Sequence, residues 1–204
     1  MNRRNALQRL GMLALLASPV SLALGQVREN FRTLKPGVPV NTVGKIEVLE
    51  FFHYGCPHCQ AFEPLVAQWA AHLPDDVAFM GVPAVWGNFL ESLARLYYTI
   101  LAMKRLDLHK TVFTAVQEEQ LQFDVREWAK ANRLNESAFM DIYNSFGVNT
   151  QVQRARQLIS SYKVDSVPMM AVAGRFLTSA AMAGNHEAAL KVVDSLIDRI
   201  RKGG

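Results

Sequence analysis

The sequence predicts an α/β fold that is interrupted by an all-helical segment. Three observations lead to this fold class. A strand, a helix and a second strand are indicated between residues 46 and 83, only helical patterning follows from Asn88 to about Tyr162, and two short strands then precede a final helix. With 204 residues, half of them hydrophobic, the chain can bury a sizeable core as one domain that carries an insertion.

The first 25 residues have the composition of a secretory signal peptide. Three arginines precede an apolar run from Leu10 to Leu24, which ends in the small-residue pattern Ala23-Leu24-Gly25. The run is about 15 residues long, against the roughly 20 that span a bilayer, so a retained anchor is the weaker alternative. We predict that residues 1–25 are a signal peptide cleaved near Gln26. The pair Arg3-Arg4 leaves open whether export follows the twin-arginine or the general secretory route.

The formal net charge of +4 is concentrated in this leader. The chain has 22 basic and 18 acidic side chains, and all three charges in residues 1–25 are arginines, so 19 basic side chains face 18 acidic ones after cleavage. A nearly neutral mature protein has no electrostatic reason to bind nucleic acid or an anionic membrane surface. We therefore expect neither as a partner.

The first α/β elements follow an extended lead marked by two prolines. Ile46 to Phe52 form a nearly continuous apolar run, which is typical of a strand that is buried on both faces. Pro57 suits the first turn of a helix, and apolar residues then recur at spacings of three and four until Pro74. The run from Val77 to Val82 predicts a second strand that ends at Pro83. Residues 26–87 are thus expected to form the first part of the α/β domain.

The remaining elements divide into an insertion and a return to the sheet. Residues 88–146 have only helical patterning and are predicted to be the helical insertion, and residues 147–204 are predicted to complete the α/β domain. This second part is expected to contain a helix from about Thr150 to Tyr162, a hairpin that turns at Ala173-Gly174-Arg175, and a final helix with apolar residues from Ala188 to Ile200.

The chain has only two cysteines, Cys56 and Cys59, and they lie at the predicted strand-to-helix turn. A loop this short constrains the unfolded chain little, so chemistry explains the pair better than stabilisation does. At a helix N-terminus, Cys56 meets unsatisfied N–H groups and the positive end of the helix dipole, which favour its thiolate. We predict that Cys56 is the exposed attacking and leaving sulfur and that Cys59, one turn into the helix, is the resolving thiol.

Pro57 and His58 lie between the cysteines and complete the predicted catalytic motif. The His58 ring can lend partial positive charge or a hydrogen bond to the Cys56 thiolate. A stabilised thiolate favours the reduced protein, and a protein that is more stable when reduced gives its disulfide away. The motif in this setting therefore predicts an oxidant.

Two simpler interpretations of the cysteines were weighed. A structural zinc needs four ligands, and only scattered histidines are available besides His58, so we expect no metal and no cofactor. A purely structural disulfide is disfavoured by its short loop. The histidines in question are His53, His72, His109 and His186.

Four segments resemble the DsbA family of thioredoxin-fold proteins: Val48 to Phe52, Cys56-Pro57-His58-Cys59, Phe62-Glu63 and Val167-Pro168. The resemblance spans essentially the whole mature chain and implies a thioredoxin-like fold with an inserted all-helical domain. It also implies that Val167 and Pro168 form a cis-proline loop that binds an extended substrate segment. From the sequence alone a cis bond would be disfavoured, because only about one X-Pro bond in twenty is cis.

Glu50 is the remaining predicted catalytic residue. It shares a strand face with Ile46, Val48 and Phe52, which makes a buried carboxyl group with a raised pKa plausible. In proteins similar to this one, the residue at this position helps to move the proton of the buried cysteine. The alternative is an ion-paired carboxylate at a strand end. For Glu63, one turn beyond Cys59, a solvated helical face and a role in tuning the site both stay open.

The resemblance implies a periplasmic thiol:disulfide oxidoreductase that donates its disulfide to unfolded exported proteins with free cysteines. It further implies reoxidation by an inner-membrane partner of the DsbB type, and a monomer is expected. One alternative is a disulfide isomerase or reductase, which the Pro-His pair and Val167 before Pro168 argue against. Another is a thioredoxin-fold peptide-binding or chaperone module with incidental cysteines.

Overall fold

The structure, a computed structural model, describes residues 29–203. The predicted signal peptide, residues 1–25, lies outside the described residues. Between residues 29 and 203, no helix has the length and apolar character needed to cross a membrane.

Five strands form one mixed sheet in the order β1-β5-β4-β2-β3. The strand β2 runs parallel to β3 and antiparallel to β4, and β5 is antiparallel to both β4 and β1. The predicted strands and the hairpin are confirmed, but β1 was not predicted, because a two-residue exposed edge strand leaves no pattern of alternation. The strands are β1 Arg32–Thr33, β2 Ile46–Phe52, β3 Val77–Pro83, β4 Met169–Val172 and β5 Phe176–Thr178.

The hairpin between β4 and β5 depends on a glycine. Gly174 has a positive φ of 66°, and a Cβ at this position would clash with the carbonyl oxygen of Val38. The Gly174 carbonyl accepts a hydrogen bond of 2.7 Å from the Val38 N–H, so the proline-marked lead is fastened to the turn.

Eight α-helices and two short 3-10 helices accompany the sheet in the described part of the chain. The α-helices are α1 Pro57–Ala70, α2 Asn88–Ala102, α3 His109–Glu119, α4 Val125–Ala131, α5 Glu136–Tyr143, α6 Phe146–Tyr162, α7 Ala180–Ala183 and α8 His186–Arg201. The 3-10 helices are Leu106–Leu108 and Gln120–Gln122.

Two helix ends differ from the predicted ones. The first helix ends at Ala70 and not at Pro74. The helix predicted from Thr150 begins at Phe146, because the Ser145 hydroxyl accepts a hydrogen bond from the Val148 N–H and caps it. This helix, α6, contacts α2, α5 and β3 and so joins the helical segment to the sheet. The division of the chain at residues 87 and 146 stays a prediction.

The two faces of the sheet carry two hydrophobic cores. Side chains alternate along β2, so Val48 packs on one face with Phe62 of α1 and Val193 of α8, while Leu49 and Phe51 pack on the other with the helical segment. Every residue of β2 after Ile46 is buried. The end of β2, where the cysteine turn begins, is thereby held rigidly between two cores.

Candidate active site

The turn from β2 into α1 places the cysteine motif at the start of a helix. Cys56 is the N-cap residue, with φ −98° and ψ 114°, and Pro57 occupies the first turn, where no backbone N–H is needed. The Cys56 N–H donates a hydrogen bond of 3.0 Å to the His53 carbonyl, and the Gln117 side chain of α3 donates one of 2.8 Å to the Tyr54 carbonyl. The strand-turn-helix arrangement predicted for the motif is confirmed.

Cys56 is buried, with the residue only 8 % exposed, so the expectation of an exposed sulfur is wrong, because Val167 lies against the sulfur. The pKa of Cys56 is lowered to about 6. The largest cause is the hydrogen bond from the Cys59 thiol, which favours the Cys56 thiolate. Burial opposes this effect, while the backbone N–H groups of Cys59 and His58 assist it, and the charge of His58 contributes least. The expected thiolate is therefore favoured, but mainly by the partner cysteine and less by His58.

The pKa of Cys59 is shifted in the opposite direction to that of Cys56. Cys59 is fully buried, and its pKa is raised, first because it donates its hydrogen bond to Cys56 and second because burial disfavours the charged form. Both are free cysteines in this structure. The pair thus consists of one sulfur that is readily ionised and one that holds its proton.

Val167 and Pro168, more than a hundred residues further along the chain, lie beside Cys56. The distance from the Cys56 sulfur to the Val167 carbonyl oxygen is 3.6 Å, and the peptide bond between Val167 and Pro168 is cis, as the resemblance implies. Both residues line a groove of about 350 Å³ together with His58, His186 and the segment around α7. The His186 ring packs against the Phe62 ring with centroids 4.9 Å apart. The predicted substrate-binding residues and His58 of the motif thus line one groove.

Glu50 lies in the middle of β2, paired with Gly81 of β3 and Met170 of β4. Its side chain is buried, with the residue only 4 % exposed, and its pKa is raised to about 8, first by burial and second by the negative charge of Glu63. The expectation of a buried carboxyl group with a raised pKa is confirmed. The carboxyl group of Glu50 in turn contributes to the raised pKa of Cys59.

Three polar residues behind the cysteines were not predicted as a group. The Tyr54 hydroxyl lies 2.6 Å from Nδ1 of His109, and Nε2 of the same ring lies 3.4 Å from Oε2 of Glu63. For Glu63, one turn beyond Cys59, a solvated helical face and a role in tuning the site were both left open, and its side chain, only 15 % exposed, does not lie on a solvated face. No sequence signal indicated His109, because it comes from a different part of the chain and the histidines look scattered.

His53 adds a partly buried imidazole to the same turn. Its pKa is lowered by burial, its ring faces Trp86 with centroids 6.1 Å apart, and its Nδ1 is buried with no hydrogen-bond partner among residues 29–203. Over the same range, no group of three or more histidine, cysteine, aspartate or glutamate side chains is arranged to hold a metal ion.

Known proteins resemble the chain in both sequence and structure. The thiol:disulfide interchange protein DsbA of Bordetella parapertussis is 45 % identical over 192 residues, which cover 92 % of this chain and 91 % of the relative. DsbA of Pseudomonas aeruginosa is 36 % identical over 173 residues, or 82 % of each chain. No protein-family model matches the chain.

Solved structures give the same result for the fold. The crystal structure of Pseudomonas aeruginosa DsbA has a TM-score of 0.81 at 35 % identity and covers 86 % of this chain and 94 % of its own. The oxidoreductase DsbA from Xylella fastidiosa has a TM-score of 0.78 at 27 % identity, covering 85 % and 96 %. The predicted thioredoxin-like fold is therefore confirmed. With relatives this similar over nearly its whole length, the chain belongs to the DsbA family of thioredoxin-fold thiol:disulfide oxidoreductases, which form disulfides in other proteins.

Proposed function

We propose that the protein transfers the Cys56–Cys59 disulfide to its substrates through a mixed disulfide at Cys56. The observation that carries this proposal is the asymmetry of the pair. The pKa of Cys56 is lowered to about 6, while the pKa of Cys59 is raised. In thiol-disulfide exchange the sulfur with the lower pKa is the better leaving group, so the bond that a second substrate thiol breaks most readily is the one to Cys56.

The proposed cycle conserves electrons at every step. A substrate thiolate attacks the Cys56 sulfur, the bond between Cys56 and Cys59 breaks, and its electron pair stays on Cys59. A second substrate thiolate then attacks the substrate sulfur of the mixed disulfide, and Cys56 leaves as a thiolate. The substrate has lost two electrons, and the enzyme has gained them as a reduced pair.

Glu50 supplies the proton that this cycle requires. With a pKa raised to about 8, its carboxyl group carries a proton at neutral pH and can protonate Cys59 when that sulfur is released. In reoxidation the carboxylate takes the proton back. His58 assists by placing its ring charge and its backbone N–H near the Cys56 thiolate. Pro57 keeps the first turn free of a backbone N–H that would need a partner.

An extended segment of the substrate lies in the groove beside Val167 and Pro168. The groove brings the substrate backbone to the side of Cys56 on which the Val167 carbonyl lies, 3.6 Å from the sulfur. The substrates are reduced proteins newly exported to the periplasm, and an inner-membrane partner of the DsbB type reoxidises Cys56 and Cys59. The protein acts as a monomer and uses no cofactor of its own.

The test of this function is the stability of the two redox forms of the mature protein. Because the reduced form has the stabilised thiolate, it should unfold at a higher temperature than the oxidised form, and a glutathione titration should give an oxidising potential. An oxidised form that unfolds at the higher temperature would contradict the proposal and favour an isomerase or reductase.

A further inference from the structure

A chain of polar contacts behind the cysteines has no part in the proposed cycle. Tyr54 at the end of β2 contacts His109, and His109 contacts Glu63 of α1. The side chains of His109 and Glu63 are only 13 % and 15 % exposed. His109 is the first residue of α3, so the contact joins the helical segment to the helix that carries the cysteines.

Glu63 is placed to act on the buried groups around Cys59. Residues four apart on a helix share a face, so Glu63 follows Cys59 on the same side of α1. The charge of Glu63 raises the pKa of Glu50, of Tyr54 and of Tyr97. Its electric field therefore reaches the carboxyl group that serves as proton donor in the proposed cycle.

The His109 ring is held in one orientation. Four aromatic rings surround it, with centroid distances of 5.1 to 5.5 Å, and they belong to Phe52, Tyr54, Tyr97 and Phe113. A tautomer with the ring proton on Nε2 fits the two polar contacts of this ring, with Nδ1 as the acceptor. Tyr54 keeps its proton, because its pKa is raised well above the usual value, and it donates to Nδ1, while Nε2 faces Oε2 of Glu63 at 3.4 Å.

We propose that His109 is a positioning residue, which acts through Glu63 on Glu50 and so sets how readily Cys59 receives its proton. This inference rests on the role of Glu50 under the proposed function. When a substrate thiolate breaks the bond between the cysteines, the Glu50 O–H proton passes to the Cys59 sulfur, and a carboxylate is left near the one on Glu63. The contact of the His109 ring with Glu63 offsets part of the charge of Glu63 and makes this second carboxylate less costly.

The other titratable groups around Glu50 do not change charge in the relevant pH range. Tyr54 and Tyr97 have raised pKa values and stay neutral, and Cys59 keeps its proton until it reacts. Glu63 is therefore the charge that faces Glu50, and His109 is the group that contacts it from the helical segment.

The experiment measures the pKa of the Glu50 carboxyl group by carbon-13 NMR in the reduced protein, with Glu50→Gln used to identify its signal. Glu63→Gln removes a charge and should lower this pKa by about 1. His109→Phe keeps the ring but removes the donor, so it should raise the pKa. His109→Gln keeps an N–H near the position of Nε2 and should restore most of the native value.

The double variant Glu63→Gln, His109→Phe decides whether His109 acts through Glu63. It should behave like Glu63→Gln alone, because no carboxylate is left for the imidazole to contact. An unchanged Glu50 pKa in His109→Phe would overturn the inference. So would a His109→Phe substitution that shifts the Glu50 pKa equally in the native protein and in the Glu63→Gln variant. A purely structural role would change the unfolding temperature without producing this pattern of opposite shifts.

A kinetic measurement separates failure of the inference from failure of the proposed function. The rate at which the oxidised protein oxidises a dithiol peptide is followed from pH 6 to 9 in the same variants. If Glu50→Gln leaves the rate profile unchanged, the proton-donor role of Glu50 is wrong. If Glu50→Gln slows the reaction but His109→Phe does not change how the rate depends on pH, the inference about His109 is wrong.

Discussion

Single residues control the redox chemistry of this protein through their influence on two sulfurs one helical turn apart. The thiol of Cys59 and the backbone N–H groups of Cys59 and His58 favour the Cys56 thiolate, and the charge of His58 adds a smaller effect. A change of one pKa unit in a thiol corresponds to about 1.4 kcal/mol, or about 30 mV for a two-electron couple. A shift in the Cys56 pKa is therefore measurable as a change in potential.

We expect His58→Ala to raise the pKa of Cys56 and to make the protein less oxidising. The substitution removes the ring charge but keeps the backbone N–H, so part of the stabilisation of the Cys56 thiolate should remain. Thiolate absorbance at 240 nm during a pH titration measures the pKa, and a glutathione titration measures the potential.

The matched control is His72→Ala, which removes an exposed histidine just beyond the end of α1 and should change neither quantity. If His58→Ala also changes neither, His58 has no tuning role.

The site residues differed in how far sequence could predict them. Cys59 and Glu50 lie on local elements whose burial is set by strand and helix periodicity, so their environments could be inferred, whereas the burial of Cys56 was not predicted. The contact between Glu63 and His109 depends on how α3 packs against α1, and no local pattern encodes that packing. For the same reason, the approach of Val167 to Cys56 was available only through family resemblance.

At the scale of helices and strands, the strongly patterned elements were predictable and the weakly patterned ones were not. The strand β2 and the start of α1 have the predicted bounds, because an apolar run and a first-turn proline are strong local signals. The prediction missed α7, since four residues provide little more than one helical turn. Helix starts that depend on a capping side chain, such as Ser145 in α6, were also missed.

One capping residue gives a test of element stability that is independent of redox chemistry. Asp124 caps α4, where its side chain accepts hydrogen bonds from the N–H groups of Arg126 and Glu127 at 2.8 and 2.9 Å. We expect Asp124→Ala to lower the free energy of unfolding by about 1 kcal/mol, measured by urea denaturation. The redox potential should not change, because α4 does not contribute to the groove.

Asp141→Ala serves as the control for this capping effect, since Asp141 is an exposed aspartate inside α5. Its effect on the unfolding free energy should stay within about 0.5 kcal/mol. Equal destabilisation by both substitutions would mean that the cap of α4 contributes nothing specific.

At the scale of the whole molecule, the lowered pKa of Cys56 links folding stability to pH. A thiol whose pKa is lowered by folding contributes stability above its unfolded pKa, and this contribution is lost as the pH falls through the folded value of about 6. The oxidised form has no such thiol, while Glu50 is buried in the fold common to both forms. The stability difference between the two forms should therefore depend on pH mainly through Cys56.

We expect the unfolding temperature of the reduced form to exceed that of the oxidised form by a margin that shrinks between pH 8 and pH 5. Parallel thermal scans of both forms at several pH values measure this margin. A margin that is constant or grows as the pH falls would show that the Cys56 thiolate is not its source.

The order of the strands has a consequence for how the enzyme becomes competent during its own synthesis. The strand β4 pairs directly with β2 in the middle of the sheet, and Val167, which contacts Cys56, lies 111 residues after it. A ribosome therefore completes the cysteine motif long before it adds the strand and carbonyl group that finish the site. Contacts between such distant segments form late in folding. The nascent chain consequently carries the cysteine motif before it has the groove beside Val167 and Pro168, which is complete only when β4 joins the sheet.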